Sequence, residues 1–403
     1  MNRWILLVFH FVLTQIHAGS LSLSDKLCLL IGKPSASSNP LTCKIESDPE
    51  WQKATLSESA YADWQIHEKN KSQNQLKKNS PKRQEIEEFL AASFPEAYQE
   101  TKNVLYFYGG PDFCYPDLFF PHMENLIIVG QEPIFDLPDV ESLYSEGSLT
   151  DYIYAIKQSL EDIPFRSYFI TDYMNREFEA FGIATILAAN IALSDYQLID
   201  IEPIFFPHDL TISALHISYK KWPCDILRHV YYFRFLVSNQ LPQDFIRFIE
   251  RQSIDTAFFK ATSFMTQHYQ GQAANKLAMK HAKYIIQGES GIPFSYFRNK
   301  DWDVDLFGVY TRPYYCSRRN IRPYWGVQND LKNAYISAIH ESGDTISIQL
   351  INSIWGQKKI GQSLPFVTWK GLVPMTFDYG GQLARILMPY ASTAMQYAKK
   401  KKS

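Results

Sequence analysis

The chain has 403 residues, a formal net charge of -2 from 40 basic and 42 acidic side chains, and 46% hydrophobic content. That balance excludes a disordered chain and gives no overall basic charge with which to hold nucleic acid, while the length allows one large or two ordinary domains. Its 27 Phe and 25 Tyr imply packed cores before they imply ligand stacking.

Met1-Asn2-Arg3, the apolar run WILLVFHFVLTQI and the small residue Ala18 predict a signal peptide over residues 1–18, with an uncleaved anchor as the alternative. The run is too short to span a bilayer comfortably, and no later segment offers a transmembrane helix. An exported chain, periplasmic or secreted, meets an oxidising compartment. Five cysteines then predict at least one disulfide, and Cys28 with Cys43, flanking a Ser/Pro/Asn-rich stretch, is the expected pair. The cysteine spacings match no zinc template, and no metal site through cysteine is expected.

Residues 19–100 read as a helical and linker region. Its lysine-rich stretch from Lys69 to Arg83 is a solvated segment, and Ser80-Pro81 starts a helix through Phe89 and Leu90. From Val104 the pattern changes to short apolar runs, VLYFYGG, NLIIVGQEP, SYFITDY, YQLIDIEPIFF, TISALHISY and HVYYFRFLV, with helical spacing between several of them. Strands alternating with helices predict an α/β domain over 101–398, built on a mixed, partly parallel sheet flanked by helices. The first runs lack polar alternation, as parallel strands buried on both faces do, whereas TISALHISY and HVYYFRFLV alternate and predict an antiparallel portion. Further on come a helix over GQAANKLAMKHAKY, a Tyr/Arg/Pro-rich stretch, a pair of β-rich runs and a final helix. Residues 399–403 are expected to be a frayed basic tail, with weak contact to an anionic membrane through Lys399 to Lys402 as the sharper alternative.

The candidate site lies where strands end. In YFYGGPDFCYPDLFFPH, Gly109 and Gly110 permit a tight turn and close approach of a partner, Pro111 fixes its direction, and Asp112 either caps the following helix or points into a cleft. VGQEP brings Glu132 to the end of the next run, so both carboxylates emerge at one sheet edge, where they could do acid/base work or hold a divalent cation. Glu-Pro also simply ends strands. FFKATSFMTQH sets Lys260 in an apolar run with His268 just beyond it, and QGESGIP sets Glu289 and Ser290 in another sharp turn. None of these turns has the spacing of a dinucleotide fingerprint, a P-loop lysine or the nucleophile elbow, so a nucleotide cofactor has weak support and the sequence names no cofactor.

Together YFYGGPDFCYPDLFFPH with NLIIVGQEP, VYYFRF, FKATSFMTQH and IIQGESGIP, in that order, resemble an uncharacterised family of exported bacterial proteins with a Ser-Gly-Pro-Asp-Phe turn followed by an aromatic Phe-Phe-Pro helix. The resemblance covers Val104 to Pro293 and implies export and a shared fold, with no established activity. Gly109 stands where that family has serine, and Gly288-Glu289 where two acids are expected. Two functional readings follow. One is an envelope enzyme, a hydrolase or transferase, with Asp112 as general base or orienting group, Lys260 as anion or oxyanion partner and Glu289 as a supporting carboxylate. In that reading Gly109, Gly110, Glu132, His268 and Ser290 line the ligand site. The other is a non-enzymatic periplasmic or secreted protein whose same turns hold a small molecule or an envelope partner.

Overall fold

The computed structural model describes residues 21, 23–32, 38–54, 81–134, 137–156, 182–194, 196–206, 213–221, 226–235, 240–259, 271–288, 291–298, 301–307, 369–379, 382–392 and 395–401. The leader, Lys69 to Ser80, the run SYFITDY, Cys224, Cys316 and the Tyr/Arg/Pro-rich stretch lie outside them.

Five helices lead in: α1 (Leu23–Leu30), α2 (Pro40–Glu46), α3 (Pro49–Ala54), α4 (Pro81–Ser93) and α5 (Pro95–Glu100). Proline at the start of four of them follows from its fixed φ and from the amide that a first helical position does not need. The main domain then runs β1 (Asn103–Phe107), α6 (Cys114–Phe119), β2 (Asn125–Gly130), α7 (Val140–Ser145), α8 (Gly182–Leu193), β3 (Tyr196–Ile204), β4 (Ser213–Lys221), β5 (Leu227–Arg234), α9 (Gln243–Arg251), β6 (Thr256–Phe259), α10 (Gln272–His281) and β7 (Tyr284–Gly288). A 3₁₀ turn at Phe294–Arg298 precedes β8 (Trp302–Phe307), and β9 (Trp369–Tyr379), β10 (Gln382–Ser392) and β11 (Met395–Lys400) follow.

Nine strands form one mixed sheet in the order β3-β4-β5-β2-β1-β6-β7-β11-β8, while β9 and β10 pair antiparallel as a separate ribbon. The central block β5-β2-β1-β6-β7 is parallel, β4 runs antiparallel to β3 and β5, and β11 runs antiparallel to β7 and β8. All of β1 and β2 beyond their first residues is buried, as expected of parallel strands covered on both sides.

Alternation along the strands divides the core. Val104, Tyr106, Leu126, Ile128, Val230 and Tyr232 face a layer holding α1, α4, α6 and α8, whereas Leu105, Phe107, Ile127, Val129 and Phe233 face α9 and α10. The N-terminal helices are thus part of the sheet's own cover: Leu27, Trp51, Ile86 and Leu90 share one apolar cluster with the strands.

Two expectations are overturned. No disulfide joins Cys28 and Cys43. Each sits on its own helix, α1 and α2, Cys28 half-buried and Cys43 exposed, and among the described residues no cysteine is bridged. The C-terminus is not a helix with a frayed tail, because Met395–Lys400 is an interior strand of the sheet. Met, Gln, Ala and Lys are good helix formers, but pairing with β7 and β8 on both sides outweighs that preference. Tyr397 and Ala398 alternate into opposite cores, and the lysines are engaged: Lys399 with Glu96 of α5, Lys400 over the Trp302 ring, Lys401 with Asp303 at 3.1 Å.

Candidate functional site

The carboxyl ends of β1 and β2 lie side by side, with Phe107 in register with Val129, so the loops carrying Asp112 and Glu132 leave the same sheet edge, as the sequence predicts. The β1 loop is shaped by close contact. Tyr108 has φ 59°, a conformation that a bulky residue rarely adopts, and its N–H donates to Val129 O at 2.6 Å. Gly109 then passes over the Tyr106 ring, where a Cβ would come within 2.4 Å of Cε1. Gly110 takes φ 57°, and the turn closes with Asp112 N–H donating to Gly109 O at 3.2 Å.

Asp112 is buried and serves this turn. Its Oδ1 accepts from Tyr115 N–H at 3.2 Å, three residues on in α6, and its Oδ2 accepts from the Tyr106 hydroxyl at 2.9 Å. Burial first, and then the neighbouring carboxylate, push the Tyr106 phenol far above its usual range, so it stays a neutral donor. The bond to the Tyr115 amide fits the capping alternative, although Phe113 and not Asp112 holds the N-cap position of α6, whereas the Tyr106 bond ties the turn back to β1. Asn190 completes the loop from α8, its Nδ2 donating to Pro111 O at 3.0 Å.

Glu132 is likewise buried, at 5% exposure. Its Oε2 accepts from Gln131 N–H at 3.0 Å and from the Tyr232 hydroxyl of β5 at 2.7 Å, and no described residue donates to Oε1. Gly130 makes the arrangement sterically feasible, since a Cβ there would lie 2.1 Å from the Tyr232 hydroxyl oxygen and 2.5 Å from Glu132 Oε2. Tyr232 is held neutral by burial, reinforced by the Glu132 charge.

β6 ends at Phe259 and β7 at Gly288, and these strands continue the same parallel edge beside β1. Lys260, His268, Glu289 and Ser290 follow them in sequence and lie outside the described residues, so of the predicted set the structure describes Gly109, Gly110, Asp112 and Glu132, which share one sheet edge with no described contact between the two carboxylates. Just past Ser290 the chain is anchored by Gln287, a buried amide that the sequence reading missed. Its Nε2 donates to Ile292 O at 2.9 Å and its Oε1 accepts from Ile292 N–H at 2.7 Å. Asn190, a single amide in the apolar run GIATILAANIAL, and Tyr232 were missed as well. A lone polar residue in an apolar segment is the signal that finds both amides, whereas Tyr232 looks like any other aromatic.

Away from this edge, Glu202 of β3, His216 of β4 and His229 of β5 form a chain on the open sheet face. His216 Nδ1 lies 2.9 Å from Glu202 Oε1, and its Nε2 lies 2.8 Å from His229 Nδ1. With Glu202 ionised and both rings neutral, His216 donates to Glu202 through Nδ1 and accepts from His229 through Nε2. Among the described residues no group of three or more His, Cys, Asp or Glu is arranged to hold a metal ion, and no helix is long and apolar enough to cross a membrane.

Comparison with known proteins gives no match: no family model matches the sequence, and no curated protein or solved structure is significantly similar to it.

Proposed function

We propose that this chain is an exported envelope protein that binds a small molecule at the carboxyl edge of its parallel strands and acts on it as a hydrolase or transferase. The observation that carries this reading is the reversal of strand order at β1. The chain builds outward from β1 to β2 and, by way of the β3-β4 hairpin, to β5, then crosses to β6 and β7 on the other side. In open α/β sheets the loops part at such a reversal and leave a crevice in which ligands bind. Here the β1 loop leads to α6 on one face, and the chain after β6 leads to α10 on the other.

In this reading Lys260 and Glu289, the residues after β6 and β7, supply the cation and the working carboxylate, Glu132 contacts the ligand, and Asp112 holds the β1 loop in place. Export rests on the charge and apolar length of the leader and on the family resemblance. The engagement of Asp112 by Tyr106 and Tyr115 favours a second reading, in which the crevice binds without turnover.

Paired variants test the proposal. Asp112→Asn keeps an oxygen for the Tyr115 amide and should cost less than about 1 kcal/mol in thermal denaturation. Lys260→Met keeps the apolar stem, and Glu289→Gln keeps the shape. Both should fold normally and abolish complementation of a deletion strain. Wild-type complementation by Lys260→Met and Glu289→Gln would remove the enzymatic reading.

A further inference from the structure

Resting on the crevice reading above, we infer that its ligand is a nucleoside with a free ribose diol and no phosphate beside the sugar, and that Glu132 accepts the diol. Counted in chain order within the parallel block, β5-β2-β1-β6-β7 is third, second, first, fourth and fifth. This is the order of the doubly wound nucleotide-binding sheet, in which an acid about 20 residues beyond the glycine turn after the first strand holds the ribose hydroxyls. Glu132 stands 22 residues beyond Gly110, just past the end of the second strand.

The state of Glu132 fits that task. A carboxylate this buried is costly unless its oxygens accept hydrogen bonds. Oε2 has two donors, and Oε1, which has none among the described residues and is not a fully buried atom, is open to hydroxyl donors from a ligand. Tyr232 fixes the orientation, because its hydroxyl also reaches Glu132 O at 3.3 Å and occupies the space that Gly130 leaves empty.

The turn after β1 excludes the rest of a dinucleotide. In nucleotide-binding sheets, amides at the start of the first helix face a pyrophosphate. Here the Tyr115 amide is taken by Asp112, and a buried carboxylate stands where a phosphate would bring more negative charge. Charge therefore selects a neutral or cationic nucleoside over a nucleoside diphosphate.

The test uses the full chain and saturation-transfer NMR with adenosine, 2′,3′-dideoxyadenosine, adenosine diphosphate and ribose as probes. Adenosine should bind, with dideoxyadenosine weaker by about 10- to 100-fold, the loss expected when a hydrogen bond to a charged group is removed, and with the diphosphate weaker through repulsion by the Asp112 carboxylate. Glu132→Gln should reduce adenosine binding by a similar factor. Tyr232→Phe, which removes the donor that orients Glu132, should weaken adenosine binding to a lesser degree, and an unchanged thermal-denaturation midpoint of Glu132→Gln guards against a misfolded variant. Equal binding of adenosine and dideoxyadenosine, or no signal with adenosine, overturns the nucleoside assignment, and ribose binding as well as adenosine would reduce it to a sugar site. If nucleosides fail while Lys260→Met still abolishes complementation, the crevice reading stands without this ligand class.

Discussion

Buried carboxylates stand at both ends of the parallel strands, and the two ends use them differently. At the amino ends, Asp255 precedes β6 and clamps its neighbours. Oδ2 accepts from the backbone amides of Lys102 and Asn103 at 3.0 Å each, and Oδ1 accepts from Lys283 Nζ at 2.6 Å. The Thr101 and Thr256 hydroxyls meet at 2.6 Å in the same layer, so β1, β6 and β7 begin from one polar knot. At the carboxyl ends, Asp112 and Glu132 are each held by a tyrosine hydroxyl, and two glycines clear the space. Asp255 saturates main-chain donors and so fixes register, whereas no described residue donates to Oε1 of Glu132. The same side-chain chemistry serves as a strand clamp at one edge and, in the proposed function, as a recognition group at the other.

Removing the clamp should have the largest effect. Asp255→Ala strands two partly buried backbone amides, while the exposed Lys283 ammonium returns to water, and should destabilise the protein by about 2–4 kcal/mol in chemical denaturation. A loss below about 1 kcal/mol would show that the amino edge does not depend on it.

Crowding the carboxyl edge comes next. Gly130→Ala drives a methyl into the Tyr232 hydroxyl and the Glu132 carboxylate and should cost about 1–3 kcal/mol. The double variant Gly130→Ala/Tyr232→Phe should recover part of that loss, and full additivity in a double-mutant cycle would show that the two groups do not compete for space.

The smallest effect lies outside both edges and sets their scale. Burial, followed by the proximity of His216, holds the His229 imidazole below its ordinary value near 6.5. A lowered folded-state value means that the neutral ring is favoured on folding, so its contribution is present above about pH 6.5 and is lost as pH falls through the lower folded value. His216 and Tyr231 are the groups that face it, and Glu202 lies beyond His216, bonded to its other ring nitrogen. His229→Gln should therefore flatten the acid side of the thermal-stability profile just below pH 6.5 and leave the plateau above it unchanged. An unaltered acid limb would assign that loss to other groups.

Much of the strand content was legible because apolar runs without polar alternation, VLYF and LIIV, leave few alternatives to buried parallel strands. The polar alternation of TISALHISY announced the antiparallel β4 in the same way. Glycine pairs and Glu-Pro marked where strands end, which was enough to put Asp112 and Glu132 on one edge. What these residues do there was not legible, since Asp112 as a cap and Asp112 in a cleft share one local sequence. The choice depends on Tyr106, whose ring lies under Gly109 and whose hydroxyl meets the carboxylate.

Local chemistry, then, determined the periodicity of the runs, the turns and the order of strands and helices. Tertiary structure alone decided which strands are neighbours, because pairing joins segments far apart in sequence and leaves no periodic trace. The last strand makes the point most sharply. MQYAKK carries helix-forming residues and a run of charge, yet it lies between β7 and β8, where hydrogen bonds on both sides and the burial of Tyr397 and Ala398 outweigh an intrinsic preference of a few tenths of a kcal/mol per residue.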